Sequence, residues 1–438
     1  MPKIFSKDHA IVFYFGIISG FSLVITSSNL NYLLAANGVS LSTVGLFSLV
    51  SLPYSISFFW LPIIEYFSSL SGHRVLANNL LCICFVQYSL ALLIYLLSNN
   101  VNTHQEIVAI GSISFCIASL SSIQDGLLGG MRGRIVAKQN QPFSCGFYVC
   151  GYRAGMLCCS SGAIYYSAFY SWQEIYRCLS LIVLLFNAGL LFLFFRGWFQ
   201  ENQESLNERE IVTVYDAIVS TRKNSAKSII KRYLSALWPE FDSNNAHYNS
   251  GIKFALIVLF LIVYRLPDNC LNLILTPFLL HVGYNAQDIA ISGKLLGSIG
   301  AILGGVVGGA ILSKKTIRFC LIWFCAVHSL AHVLYIYQDL QKCYWLFIIT
   351  TILESITCGM TMSAYLAFIN SLCTGKFKAT QYSLFTSFLG LARAILPSIS
   401  GYLVELCGWR LFFLAATFTF VPSWIIINKI YRSYIHDR

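Results

Sequence analysis

Residues 259–280 read LFLIVYRLPDNCLNLILTPFLL, an apolar run interrupted by Arg265 and Asp268. It is long enough to cross about 30 Å of hydrocarbon as a helix, and in hydrocarbon an isolated helix satisfies its own backbone. Pro267 stands between the two charges. It has no N–H, so it frees the carbonyl of Val263 and predicts a kink. Arg265 and Asp268 are three apart, hence on one helical face. A charge at the centre of a span costs ~2.5–3.5 kcal/mol on insertion scales, which makes it a candidate functional group. The pair is expected to gate or bind; the alternative is an ion pair that only holds helices in register.

The rest of the chain has the same character. Of its 438 residues, 57% are hydrophobic and only 11% charged, with mean hydropathy +0.68; soluble domains carry about 25% charged residues. Apolar stretches fall at 10–33, 42–65, 76–98, 106–128, 145–167, 177–196, 252–280, 288–312, 317–337, 344–370, 380–404 and 411–430. The prediction is an all-α membrane protein of twelve transmembrane helices. Continuous apolar runs exclude the alternating strands of a barrel. The apolar part of the N-terminus is too long for a cleaved signal and is expected to be the first span.

Lysine and arginine set the orientation. With the N-terminus inside, the inner segments hold Lys3, Lys7, Arg74, Arg132, Arg134, Lys138 and the basic residues from Arg196 to Lys253, among others, whereas the outer loops hold only Arg177, Lys342 and Arg410. Both termini are expected on the cytoplasmic side. This bias accounts for the net charge of +11 without nucleic acid as a partner. The 15 cysteines show no CxxC pair and no zinc spacing with histidine, so they are expected to pack. His328 and His332 share one helical face; with no third ligand evident, packing is the better reading, and neither metal nor cofactor is expected.

The only long loop divides the chain into a six-helix bundle (1–197), a cytoplasmic linker (198–250) and a second six-helix bundle (251–438). Within the linker, VYDAIVSTRKNSAKSIIKRYLSALW sets Ile218, Ile229, Tyr233 and Leu237 among basic residues, as in a helix lying on the membrane surface or a partly disordered tether. The halves echo each other: Arg153 then Gly162 in span five, Arg393 then Gly401 in span eleven. Each is followed by a tryptophan with an aromatic four residues on, Trp172/Tyr176 in SWQEIY and Trp409/Phe413 in GWRLFF. Transporters built from two six-helix bundles show such symmetry.

Charges recur inside the spans: the bases Arg153, Arg265, Lys294 and Arg393, and the acids Asp125, Asp268 and Glu354. Drawn from both halves, they are expected to face one polar cavity, with Gln124 beside Asp125. The cations outnumber the anions by one, which suits an anionic substrate, and arginine suits carboxylate or phosphate. Asp125 is the first candidate proton carrier and Glu354 the second; alternatively each is a permanent counter-ion of Arg153 or Arg393. The glycines of GKLLGSIGAILGGVVGGAIL (293–312) lack Walker spacing and predict close helix packing. Without a Walker motif, ATP does not drive transport on this chain. A membrane-embedded enzyme would need a catalytic cluster, and His9, His73 and His281 stand isolated.

Together these segments resemble the muropeptide permeases of the AmpG type, within the major facilitator superfamily. The likeness is carried by LFSLVSLPYSISFFWLPIIEYF (46–67), SLSSIQD (119–125), GYRAGML (151–157), YRLPDN (264–269), GKLLG (293–297), LESITCGMTMSAYLAFINSLC (353–373), KATQYSLFTS (378–387) and GWRLFF (408–413). The family's intramembrane charges match Asp125, Arg153, Arg265, Asp268, Lys294, Glu354 and Arg393. The resemblance implies a symporter of the bacterial inner membrane that imports anhydro-muropeptides with protons, and the protein is expected to act as a monomer. The chain departs from the family at Ser57, where a lysine is typical, at Glu65-Tyr66, where Asp-Arg is typical, and at Gly129-Gly130, where a second acid follows. Another bulky anion, such as an acyl-CoA, or a non-transporting sensor with this fold are the alternatives these departures leave.

Overall fold

The computed structural model describes residues 7–56, 75–101, 107–136, 141–198, 250–372 and 378–434. Ser57, Glu65 and nearly all of the expected linker lie outside them. The described residues form helices: α1 (Lys7–Ala36) and α2 (Leu41–Ser55), then α3 (Val75–Asn100), α4 (Ile107–Ile135), α5 (Gln141–Tyr166) and α6 (Trp172–Phe195). There follow α7 (Ser250–Tyr264) and α8 (Leu266–Val282), α9 (Ala286–Leu312) and α10 (Ile317–Leu340), α11 (Tyr344–Leu372), α12 (Lys378–Phe418) and α13 (Phe420–Tyr434). Among the described residues, nine helical runs are long and apolar enough to cross a membrane, with Leu41–Ser55 a shorter apolar one. One of the nine, Phe385–Arg432, spans 48 residues and covers two expected spans; Gly408, at φ 79°, bends α12 where they meet.

Contacts divide the chain into two units, residues 1–33 with 56–229, and residues 34–55 with 230–438. In the first, Ile11, Phe15 and Ile18 of α1 pack with Leu80 and Ile83 of α3, Leu127, Leu128 and Met131 of α4, and Leu190 of α6. In the second, Phe260 and Tyr264 of α7 meet Leu321 and Phe324 of α10, Tyr365 and Phe368 of α11, and Phe385 of α12. The exposed positions are also apolar, among them Phe85, Val108, Leu185, Val306 and Trp345. A protein apolar both inside and out has lipid for its solvent.

Each unit contains a seam where helix backbones touch. A Cβ at Gly20 of α1 would strike the backbone of Tyr152, and one at Gly155 of α5 that of Ile17. In the second unit a Cβ at Gly304 of α9 would strike Ile356, and one at Gly359 of α11 would strike Ala301. Gly297, Gly300, Gly304 and Gly308 of span eight therefore pack helix on helix, as their sequence predicts, whereas a Cβ at Gly309 would meet nothing within 4 Å. α2 lies against α12 in the same way at Gly401 and Leu41, and Ser48 donates to the Ala394 carbonyl at 2.7 Å.

The predicted echo between the halves has a structural counterpart. Trp172 and Tyr176 touch with ring centroids 5.9 Å apart, and Trp409 and Phe413 stack at 6.4 Å. Ser171 caps α6, with its hydroxyl and Glu174 closing a reciprocal capping box. At the C-terminal end of α10, Asp339 accepts from Arg410 Nε of α12 at 2.7 Å.

Candidate functional site

The predicted kink is a full break. α7 ends at Tyr264 and α8 starts at Leu266; Arg265 between them has φ −102° and ψ 5°, with Pro267 in the first turn that follows. Proline is favoured in a first turn, where its missing N–H leaves nothing unpaired. The break lets Arg265 and Asp268 turn to the same partners. Arg265 Nη1 lies 2.6 Å from Asp268 Oδ2, with the side chains 5% and 2% exposed.

Around this pair, α10 and α11 supply polar groups. The other oxygen of Asp268, Oδ1, is hydrogen-bonded to Nε2 of His328. Nδ1 of His328 lies 2.9 Å from Thr357 Oγ1. Arg265 Nη1 also donates to Thr361 Oγ1 at 3.1 Å, and Nη2 approaches the Cys358 sulfur at 3.9 Å. Glu354, half-buried, accepts from Ser355 Oγ at 3.2 Å. One donor atom from each of Asp268, His328 and Glu354 lies within 4.8 Å of the others. His332, a turn further along α10, sets its ring edge-on to His328 with centroids 4.8 Å apart.

His328 is the residue sequence reasoning passed over. Its pairing with His332 had suggested packing for want of a third ligand; Asp268 and Glu354 supply two further partners, from other helices, and make His328 part of a charge network. The signal was there: a histidine deep in an apolar span is an intramembrane ionisable group like any acid. The three atoms have the proximity of a metal site, but Asp268 is already held on one oxygen by a cation and on the other by the histidine itself. The donor set is an ion-pair network, and two of its ligand positions are filled.

The remaining predicted residues are dispersed. Lys294 lies in a widened π-helical stretch, Ile289–Leu296, and donates to Thr276 Oγ1 of α8 at 3.3 Å; such stretches are frequent at functional sites. Arg393 is on an exposed face of α12. Gln124, Asp125 and Arg153 belong to the first unit. Gln124 is fully buried and donates to Ser22 Oγ of α1 at 3.1 Å. Asp125 has Ser19 of α1 and Tyr148 of α5 as polar neighbours. Among the described residues, Ser19 Oγ, Gln124 Oε1 and Asp125 Oδ1 are buried with no hydrogen-bond partner. Arg153, half-buried on α5, forms no ion pair with Asp125. Each unit therefore contains polar groups inside its helices: in the second, Asp268 bonded to Arg265 and His328 with Glu354 close by, and in the first, Gln124 and Asp125 beside Ser22 and Ser19.

Known proteins agree with this architecture. The sequence model of the Major Facilitator Superfamily matches residues 12–341 and 313–433. A protein of Rickettsia bellii named "Putative transporter AmpG 1" is 40% identical over 432 residues, covering 97% of this chain and 98% of its own. An AmpG 2 transporter of Rickettsia felis, carrying the same qualifier in its name, is 30% identical over 430 residues, with 95% of each chain covered. Among solved structures, a bacterial homolog of the human lysosomal transporter Spinster, inward-facing and unoccupied, superposes with TM-score 0.67 at 13% identity, covering 98% of this chain and 97% of its own. The xylose transporter XylE from E. coli, inward open, gives 0.66 at 10% identity, covering 98% and 96%. At these identities the two structures bear on fold alone.

Proposed function

The chain belongs to the AmpG-type permeases of the Major Facilitator Superfamily and is a multi-pass secondary transporter, and we propose that it imports anhydro-muropeptides with protons by alternating access. The observation that carries this reading is the pair of buried polar centres. Groups that cost this much to bury are retained where they bind charge or move it. In the second unit, Arg265, Asp268 and Glu354 gather around His328, and Lys294 of α9 is a further cation of the same unit, a set suited to an anionic glycopeptide. In the first, Asp125 has a free oxygen and no counter-ion among the described residues, which suits a carboxyl group that takes up and releases a proton. The AmpG names of the relatives and the motifs of the sequence support the same substrate.

The chain's setting follows from its charges. Basic inner loops favour both termini in the cytoplasm and a bacterial inner membrane as the location. Two bundles, 1–197 and 251–438, joined by a linker over 198–250, acting as a monomer, complete the proposal. Lys294, Arg265, Arg153 and Arg393 are assigned to the substrate's negative charge, with Gln124 beside the proton site.

One observation favours a second reading of the substrate. At Gly129, where the resembled family carries an acid, a Cβ would meet nothing within 4 Å. Packing does not require glycine there, so the missing acid points to a change in the coupling or in the anion carried, an acyl-CoA being the alternative. Uptake of labelled anhydro-muropeptide into vesicles bearing the protein, with and without an imposed pH gradient, tests the choice. The expected result is gradient-driven uptake that Asp125→Asn abolishes. Uptake of acyl-CoA in place of anhydro-muropeptide would move the substrate to the alternative.

A further inference from the structure

The network in the second unit has more hydrogen-bonding freedom than a fixed salt bridge. Asp268 is committed on both oxygens, to Arg265 and to Nε2 of His328. A carboxylate beside a guanidinium has no proton to give, so Nε2 carries hydrogen. The other ring nitrogen depends on Thr357. Its hydroxyl has one hydrogen and three acceptor directions in reach: His328 Nδ1 at 2.9 Å, the Leu353 carbonyl at 2.8 Å and the Glu354 carbonyl at 2.9 Å. With the hydrogen turned to a carbonyl, Thr357 accepts from Nδ1–H and the ring is an imidazolium. With the hydrogen turned to Nδ1, the ring is neutral. Rotation of one hydroxyl accommodates both states.

Charge counting selects between the states in pairs. Arg265 balances Asp268, which leaves His328 and Glu354, with donor atoms within 4.8 Å of each other. Imidazolium with carboxylate is neutral overall, and so is imidazole with carboxylic acid. The two arrangements hold the same number of protons and differ only in where one of them sits. In passing from the first to the second, an N–H bond of the imidazolium breaks, its electron pair stays on nitrogen, and an O–H bond forms on Glu354. No net charge appears in the interior, where an unpaired charge is heavily penalised, and the separation is within the span of one bridging water. The charged or titratable groups around the ring are Tyr264 from α7, Arg265 from the break, Asp268 from α8, Cys325 and His332 from α10, and Glu354 and Cys358 from α11.

We propose that His328 and Glu354 share one proton against Asp268 as fixed counter-ion, and that this pair is the proton-holding element of the second unit. The proposal rests on the transport reading above and adds to it a residue and a route. A further proton entering the pair gives the network a single positive charge, so proton entry and anion binding favour each other.

The direct test is nitrogen-15 solid-state NMR of the full-length protein in lipid nanodiscs, with its eight histidines labelled. At neutral pH one ring should show hydrogen on both nitrogens for part of the population. That signal should vanish in His328→Gln, and in Glu354→Gln, which removes the compensating charge, it should shift towards the neutral ring. In proteoliposomes, His328→Gln should still exchange labelled for unlabelled anhydro-muropeptide while gradient-driven accumulation falls by about tenfold or more. A single neutral tautomer at His328, unmoved by Glu354→Gln, overturns the shared proton; undiminished accumulation in His328→Gln overturns its use in coupling. If the unaltered protein takes up no anhydro-muropeptide, the substrate reading fails by that control, and the NMR spectra still decide between a shared proton and a fixed neutral ring.

Discussion

Asp125 in the first unit and Asp268 in the second both lie in apolar spans, and their surroundings differ in kind. Asp268 has each oxygen held, one by Arg265 at 2.6 Å and the other by His328. Asp125 has no cation beside it among the described residues, and its polar neighbours, Ser19 and Tyr148, are neutral. A held carboxylate is structural as well as functional, because removing it strands its partners. An unheld one contributes little to the fold, and its retention is a statement about function. The two acids therefore differ in what surrounds them: the first has no counter-ion among the described residues, and the second sits between two bases.

Breaking the held acid should have the largest effect. Asp268→Ala leaves Arg265 and His328 without their anion, and losing one partner of a buried pair costs about 3–5 kcal/mol. Thermal unfolding in detergent should show a large drop; an unchanged midpoint would mean the pair is hydrated and idle. Next come the backbone seams, which the two units share. Gly304→Leu in the second and Gly20→Leu in the first should each cost about 1–3 kcal/mol or more by overpacking, read by the same unfolding scan. A loss in one unit only would sharpen the contrast between them into a difference of packing.

Smaller effects probe the chemistry itself. Arg265→Lys keeps the charge but gives up the planar fork whose Nη1 reaches Asp268 and Thr361 and whose Nη2 reaches Cys358, so a loss of about 1–2 kcal/mol is expected. A variant as stable as the parent would show that charge alone suffices. Asp125→Asn stands last in stability: the midpoint should stay or rise, because a buried acid with no counter-ion costs more than the neutral amide that replaces it. Gradient-driven uptake should nevertheless disappear. A clear loss of stability in Asp125→Asn would reveal a partner for the carboxyl group and dissolve the comparison.

Much of this was legible in the chain. Apolar length marked the helices, because hydrocarbon demands it, and Pro267 marked the break because a proline cannot donate. Gly304 and its neighbours read as a seam because only hydrogen fits between touching backbones. Arg265 and Asp268 read as a pair because three residues separate them on one helix. His328 did not read as their partner, since it comes from another span and its contact depends on how α8 and α10 face each other. Lys294 shared the sequence signal of the others, yet its hydrogen bond goes to Thr276; depth in a span is visible in sequence, but facing is a property of the packed unit. The break at Gly408, between two expected spans, was visible only as a short loop.

The central claim is that this permease moves protons together with an anionic cell-wall fragment. The most direct measurement records both at once: entry of labelled anhydro-muropeptide into proteoliposomes, and internal acidification reported by a trapped pH-sensitive dye. The account predicts that adding the fragment acidifies the lumen, in step with its uptake, and that Asp125→Asn abolishes both signals. Uptake of the fragment with no movement of protons would contradict it.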